Sequence, residues 1–198
     1  MPRILILGAN GQIARAATDL FMQRTDVQLT LYLRNAKRLN HLIDAERVRV
    51  VEGDVLDTKA LEVAMNGQDV VYANLAGQLE EQARCIVKAM EETGVKRLIF
   101  ISSMGIYEEV PAERYRSVLD PYRNAARIIE ASRLDYTIIR PAWLNNHDEI
   151  DYGTTHKGEP FKNASEVVSR KSVADLVVKL ATTPNLEIRG SLGVHKAS

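Results

Sequence analysis

The sequence predicts an α/β fold with a doubly wound parallel sheet, and three observations point to it. Short aliphatic and β-branched runs alternate with amphipathic segments of ten or more residues along the whole chain. Several of those runs are apolar at almost every position, as strands covered on both faces must be. The first run, Ile4-Leu5-Ile6-Leu7, passes directly into Gly8-Ala9-Asn10-Gly11-Gln12-Ile13-Ala14, a glycine turn that opens a helix.

The elements follow in order. Gln12 to Arg24 reads as a helix with Ile13, Ala16, Ala17, Leu20 and Phe21 on one face. Val27 to Leu33 is a second strand, closed by the basic cluster Arg34-Asn35-Ala36-Lys37-Arg38, and Leu39 to Ala45 a short helix. Val48 to Val51 is a third strand ending at Gly53-Asp54-Val55, and Thr58 caps a helix reaching Met65. Asp69 to Ala73 is a fourth strand, with a loop of small residues from Asn74 to Gly77. Leu79 to Thr93 is a long helix stopped by Gly94. Arg97 to Ile101 is a fifth strand that ends at Ser102-Ser103.

The polar stretch from Glu108 to Asp120 reads as a loop over a pocket, and Pro121 opens a helix to Ser132. Tyr136 to Arg140 is a sixth strand stopped by Pro141, after which the pattern dissolves from Ala142 to Phe161. A helix from Ser172 to Thr182 and a short strand from Ser191 to His195 complete the chain. With 198 residues, no repeat and no linker, one domain spanning 1–198 is expected.

Composition narrows the function. Hydrophobic residues make up 45% of the chain, enough for a sizeable core, and lysine plus arginine balances aspartate plus glutamate. A nucleic-acid surface, which needs a basic excess or face, is not expected. The single cysteine, Cys85, excludes a disulfide framework, and no apolar run approaches the ~20 residues of a membrane span. The cytoplasm is the expected location. His147, Asp148, Glu149, Asp151 and His156 follow no ligand spacing and read as a polar loop, so no metal is expected.

The glycine turn carries the chemistry. Gly8 permits a tight, positive-φ turn, and Gly11 has no Cβ to keep a phosphate off the backbone. The helix start behind it offers free N–H groups and a partial positive charge to an anion. Ala14 lets that helix sit close on the strand, so the stretch reads as the pyrophosphate site of a Rossmann-like dinucleotide-binding fold. A carboxylate at the end of the second strand would bind a ribose and favour NAD. Arg34 stands there instead, with Lys37 and Arg38 one helical turn on, which favours the 2′-phosphate of NADP, with NAD the alternative. Asp54 suits the adenine amino group, with the Val55 backbone beside it, and capping of the next helix is compatible with that.

The turn, Gly53-Asp54-Val55, Phe100-Ile101-Ser102-Ser103-Met104-Gly105-Ile106-Tyr107 and Leu134-Asp135-Tyr136-Thr137-Ile138-Ile139-Arg140-Pro141 follow one another as in atypical short-chain dehydrogenases. The chain resembles their NAD(P)-binding, NmrA-like branch, which includes small flavin and biliverdin-IXβ reductases. That resemblance implies that Gly8, Asn10, Gly11, Gln12 and Ile13 wrap the pyrophosphate and that Arg34 meets the adenosine end. It also implies that Asp54 and Val55 hold adenine, while Ala73, Asn74 and Leu75 border the ribose. Ser102, Ser103, Pro141 and Ala142 would line the nicotinamide side.

One departure matters. Short-chain dehydrogenases usually carry a Tyr-x-x-x-Lys pair after the fifth strand, whose lysine lowers the phenol pKa. Tyr122 occupies such a place, but Ala126 stands where the lysine belongs. Hydride transfer to a flavin or quinone needs no such acid, so an NADPH-dependent oxidoreductase acting on a small planar acceptor is expected. Ser103 and Tyr107 are the candidate proton donors; Ser103 serves equally as a strand-end cap, and Tyr107 as a pocket cover. Trp143 offers either a stacking surface or a core residue. The competing expectation is a non-catalytic NADP(H) sensor that signals to a protein partner.

Overall fold

Each apolar run of the sequence becomes a strand, and all but two of the strands join one sheet. A computed structural model of the chain describes residues 1–42, 46–110 and 117–197. The strands are β1 (Arg3–Leu7), β2 (Gln28–Leu33), β3 (Val48–Glu52), β4 (Val70–Ala73) and β5 (Arg97–Ile101). They continue with β6 (Asp135–Pro141), β7 (Trp143–Asn145), β8 (Gly153–His156), β9 (Val167–Ser169) and β10 (Gly190–His195). The helices are α1 (Gln12–Arg24), α2 (Thr58–Met65), α3 (Leu79–Thr93), α4 (Asp120–Ala131) and α5 (Arg170–Thr182). The main sheet runs β3-β2-β1-β4-β5-β6-β10-β8, and only the β8–β10 pair is antiparallel. Strand order reverses between β1 and β4, the crevice where such sheets take ligands.

Alternate side chains of the strands feed two cores. Ile4, Ile6, Tyr72 and Ile99 pack with α1 and α5 on one face, and Leu5, Leu7, Val71 and Leu98 pack with α2, α3 and α4 on the other. This two-sided burial explains why the central strands read as unbroken apolar runs.

Four local readings differ from the structure or reach beyond it. Asp57, not Thr58, caps α2: its carboxylate accepts from the Ala60 amide at 3.1 Å, leaving Thr58 as the first helical residue. The helix expected over Leu39 to Ala45 is a 3-10 helix over Ala36–Leu42, and residues 43–45 lie outside the described residues. Of the expected loop from Glu108 to Asp120, residues 111–116 also lie outside them; Ser117–Leu119 forms a 3-10 turn leading into α4. The stretch from Ala142 to Phe161, which shows no pattern, contains β7 and β8. Both are three or four residues long, and both pair with strands distant in sequence, β9 and β10, so no local periodicity announces them. Among the described residues no helix is long and apolar enough to cross a membrane.

Two polar features of this core predict measurable behaviour. Tyr72 is fully buried on β4 and its hydroxyl has no hydrogen-bond partner among the described residues, a cost of about 1–3 kcal/mol for such a group. Tyr72→Phe is therefore expected to raise stability by about 1 kcal/mol in urea unfolding.

Asp175 on α5 joins Arg24 of α1 at 2.8 Å, Lys179 at 2.9 Å and the Tyr152 hydroxyl at 2.9 Å. Burial pushes its carboxyl up, but the hydrogen bonds from Lys179, Tyr152 and Arg24 outweigh burial and hold it below the usual aspartate value. Stability from this group is thus full above the unfolded aspartate value near pH ~4, and is lost as pH falls through the lower folded value. Asp175→Asn is expected to weaken the protein at neutral pH yet flatten its loss of stability between about pH 4 and pH 2. Urea unfolding across that range checks it.

Candidate functional site

β1 delivers the chain to the switch point, and the glycine turn begins there. Gly8 has φ +73°, and its amide donates to the Tyr32 carbonyl at 3.0 Å, a bond that ties the turn to β2. A Cβ at Gly8 would lie 2.1 Å from the Asn74 carbonyl oxygen, so both conformation and space demand glycine. Gly11 has an ordinary φ of −62°, but a Cβ there would meet the Asn74 side-chain amide at 2.0 Å. As the N-cap of α1, Gly11 contributes no side-chain bond, and no acidic residue stands in the first turn. The free amides and positive end of a 13-residue helix therefore face the crevice.

Beside the turn a groove of about 310 Å³ runs over the ends of β2 and β3. Gly8, Asn10, Gly11, Arg34, Asp54, Val55, Asn74 and Leu75, eight of the residues singled out in the sequence, line it. Arg34 and Arg38, both exposed, line it too, and the Ala36 amide between them donates to the Glu52 carboxylate at 2.9 Å. Asp54 accepts from the Leu56 amide at 3.0 Å, which braces the turn after β3. Its helix-capping role falls instead to Asp57.

Sequence reasoning missed Tyr32 in this groove. Its hydroxyl donates to the Asp54 carbonyl at 3.0 Å, and a Cβ on Gly53 would collide with it at 2.2 Å. Burial, with the charges of Asp57 and Asp54, raises the Tyr32 pKa and keeps that donor protonated. The available signal was a polar-tipped aromatic one residue before the end of β2, near the Gly53 that follows β3. Strand periodicity alone does not pick it out.

The remaining singled-out residues are placed differently. Ile13, Ala73, Pro141 and Ala142 are buried and do not line the groove. Gln12 is exposed and turns to a separate groove between α1 and the start of α5, lined also by Asp19, Asn146 and Arg170. Ser102 is 6% exposed, and its hydroxyl, just past the end of β5, has no partner among the described residues. Ser103 is half-buried and its hydroxyl donates to the Met104 carbonyl at 3.1 Å.

Tyr107 does not present a free phenol. It donates to Glu130 at 2.6 Å, with Lys157 and Arg140 stacked on its ring at 4.2 and 5.1 Å. Burial, reinforced by Glu130, holds its pKa well above the usual tyrosine range. The phenol is a strut between the loop after β5 and α4, and the donor role expected of it does not fit this geometry.

Nor does α4 supply a relay. Tyr122 packs half-buried against the core, and Ala126, one turn on, is 1% exposed. The neighbouring Arg123 is buried against Asp120 at 3.0 Å and the Gly105 carbonyl at 3.3 Å. Trp143 is 52% exposed on β7, outside the core. His147 is exposed and His156 lies 3.2 Å from Glu187; among the described residues no three ligand-type side chains converge on a metal position.

A glycine turn between a central strand and a helix, at the switch point of a doubly wound sheet, defines a dinucleotide-binding protein of the Rossmann class. Two features fit such a ligand: a turn packed against Asn74 too closely for any side chain at Gly8 or Gly11, and, at the end of β5, a buried serine hydroxyl with no partner among the described residues. The chain belongs to the NAD(P)H-binding family, which matches residues 8–184. It is similar to a Rossmann-fold NAD(P)-binding family protein from Shigella flexneri, at 43% identity and TM-score 0.88 over 99% of this chain and 94% of that one. It is also similar to a short-chain dehydrogenase/reductase from Veillonella parvula solved in complex with NADP, at 33% identity and TM-score 0.90 over 98% and 94% of the two chains. A relative described as the uncharacterized sugar epimerase YhfK of Bacillus subtilis is 27% identical over 203 residues, 94% of this chain and 91% of its own length.

Proposed function

We propose that this chain is a cytoplasmic NADPH-dependent reductase that passes a hydride to a small planar acceptor such as a flavin or quinone. The observation that carries the reading is the groove itself, lined by the glycine turn together with Arg34 and Arg38, with an arginine rather than an acidic residue as the first position after β2. Gly8, Asn10 and Gly11 hold the diphosphate through main-chain groups, Arg34 and Arg38 take the 2′-phosphate, and Tyr32 and Asp54 border the adenosine. NADPH supplies the hydride when bound. The protein's part is to orient the two rings and keep water away. A planar acceptor fits because Ala126 leaves Tyr122 without the cation that a dedicated proton relay needs. In this reading Ser103 is the proton donor, giving up its bond to the Met104 carbonyl to do so.

The purified protein should consume NADPH above background with FMN or a simple quinone. Tight NADPH binding without consumption across a panel of acceptors favours the second reading, an NmrA-like NADP(H) sensor with a protein partner. The buried Ala126 and the committed Tyr107 phenol are the observations on that side. Arg34→Asp is expected to shift preference from NADP toward NAD by tenfold or more, about 1.4 kcal/mol, in competitive binding. An unchanged preference would remove the 2′-phosphate assignment.

A further inference from the structure

We infer that the buried Glu109–Arg140 ion pair positions the nicotinamide half of the dinucleotide, by fixing the Ser102–Met104 segment that faces it. This rests on the dinucleotide reading above. With the adenosine half over β2 and β3, the other half extends past the glycine turn to the ends of β4, β5 and β6. The β5 end there is Ser102, buried and with an unpaired hydroxyl.

The β6 main chain holds that end on either side of Arg140. The carbonyls of its two chain neighbours, Ile139 and Pro141, accept the amides of Ser102 and Met104 at 2.7 and 3.2 Å. Its side chain, 1% exposed, meets the Glu109 carboxylate, 5% exposed. That carboxylate also accepts from the Gly105 and Tyr107 amides of its own loop, at 3.0 and 2.9 Å. The turn from Gly105 to Glu109 is thus wound around one carboxylate. Its tightness forces Glu108 to φ +61° and Gly105 to φ +85°. Arg140 is anchored in turn by Ser191 of β10, whose hydroxyl accepts from Nε at 3.0 Å. Tyr107 adds a second tether, to Glu130 of α4.

Stability alone does not account for the arrangement. A buried ion pair is commonly no more stabilising than apolar residues of the same volume, and a non-glycine residue at positive φ carries a cost of its own. What the pair provides is a fixed place for Ser102, Ser103 and Met104. Glu109 and Arg140 are therefore positioning residues; neither needs to touch the cofactor.

Calorimetric titration with two probes tests this, adenosine 2′,5′-bisphosphate for the near half and NADP⁺ for the whole. Glu109→Gln is expected to leave the bisphosphate within twofold of wild type and to weaken NADP⁺ at least tenfold, with Glu109→Asp restoring part of the loss. Asp175→Asn, which loosens the far face, should change neither. If Glu109→Gln does not fold, Tyr107→Phe carries the test, with an expected NADP⁺ loss of threefold or more against an unchanged bisphosphate. Equal weakening of both probes, or of neither, in the folded variant overturns the inference while leaving the dinucleotide site in place. Wild-type protein that binds neither probe overturns the dinucleotide reading itself.

Discussion

Gly11→Ala should abolish dinucleotide binding in a protein that still folds, while Gly8→Ala should lose both. The two glycines differ in what a methyl group would meet. At Gly11 the backbone is ordinary, with φ −62°, and the new Cβ conflicts mainly with the end of the Asn74 side chain, 2.0 Å away. That amide can swing aside, so the expected change in stability is within about 1 kcal/mol. The methyl group then sits where the diphosphate must approach the helix start, and affinity for NADP⁺ should fall at least a hundredfold, about 2.7 kcal/mol.

At Gly8 the conflict is with the backbone. The conformation is left-handed, and a Cβ would lie 2.1 Å from the Asn74 carbonyl and 3.0 Å from its carbon. Neither β1 nor β4 can give way without breaking the Asn74-to-Leu7 bond at 2.9 Å. The positive φ alone costs about 1–3 kcal/mol, to which the clash adds. Thermal melts and calorimetry on both variants separate the two outcomes. A Gly11→Ala protein that binds NADP⁺ as wild type does would refute the role given to the turn.

The contrast also marks where sequence reading ends. The glycine turn, the Arg34 cluster and Asp54 were legible because each is local: a residue type at a strand end carries its own chemistry. The parallel order of the central strands was legible because burial on both faces leaves runs such as Leu98-Ile99-Phe100-Ile101 without polar interruptions. Residues that act through distant partners were not. Tyr32 matters because Gly53, just past the end of β3, leaves room for its hydroxyl. Glu109 lies in a polar loop and looks solvated until β6 brings Arg140 against it. β7 and β8 escape for the same reason, since each is defined by a partner strand rather than by its own pattern. Tyr107 is the converse case: a tyrosine after the fifth strand reads as either a proton donor or a pocket cover, and Glu130, which accepts from the phenol, lies too far along the chain for the local sequence to reveal it.

The Glu109–Arg140 pair should then be the most costly place in the described chain to remove a single charge, and the two partners should not be equivalent. Glu109→Ala strands the guanidinium of a 1%-exposed arginine and also unpairs the Gly105 and Tyr107 amides. Breaking a buried pair from one side costs about 3–5 kcal/mol, and the two freed amides place this variant at the upper end. Arg140→Met removes the cation but leaves Glu109 with both amide donors, and methionine can fill the space beside Tyr107 and Phe161. Its cost should be smaller, about 2–3 kcal/mol. In the double variant no buried charge remains, so its loss should fall well short of the sum. The coupling from a double-mutant cycle should reach about 1–3 kcal/mol. Urea unfolding of the four proteins measures it. Additive losses, or an Arg140→Met protein weaker than Glu109→Ala, would mean that the carboxylate is not the hub around which this loop is wound.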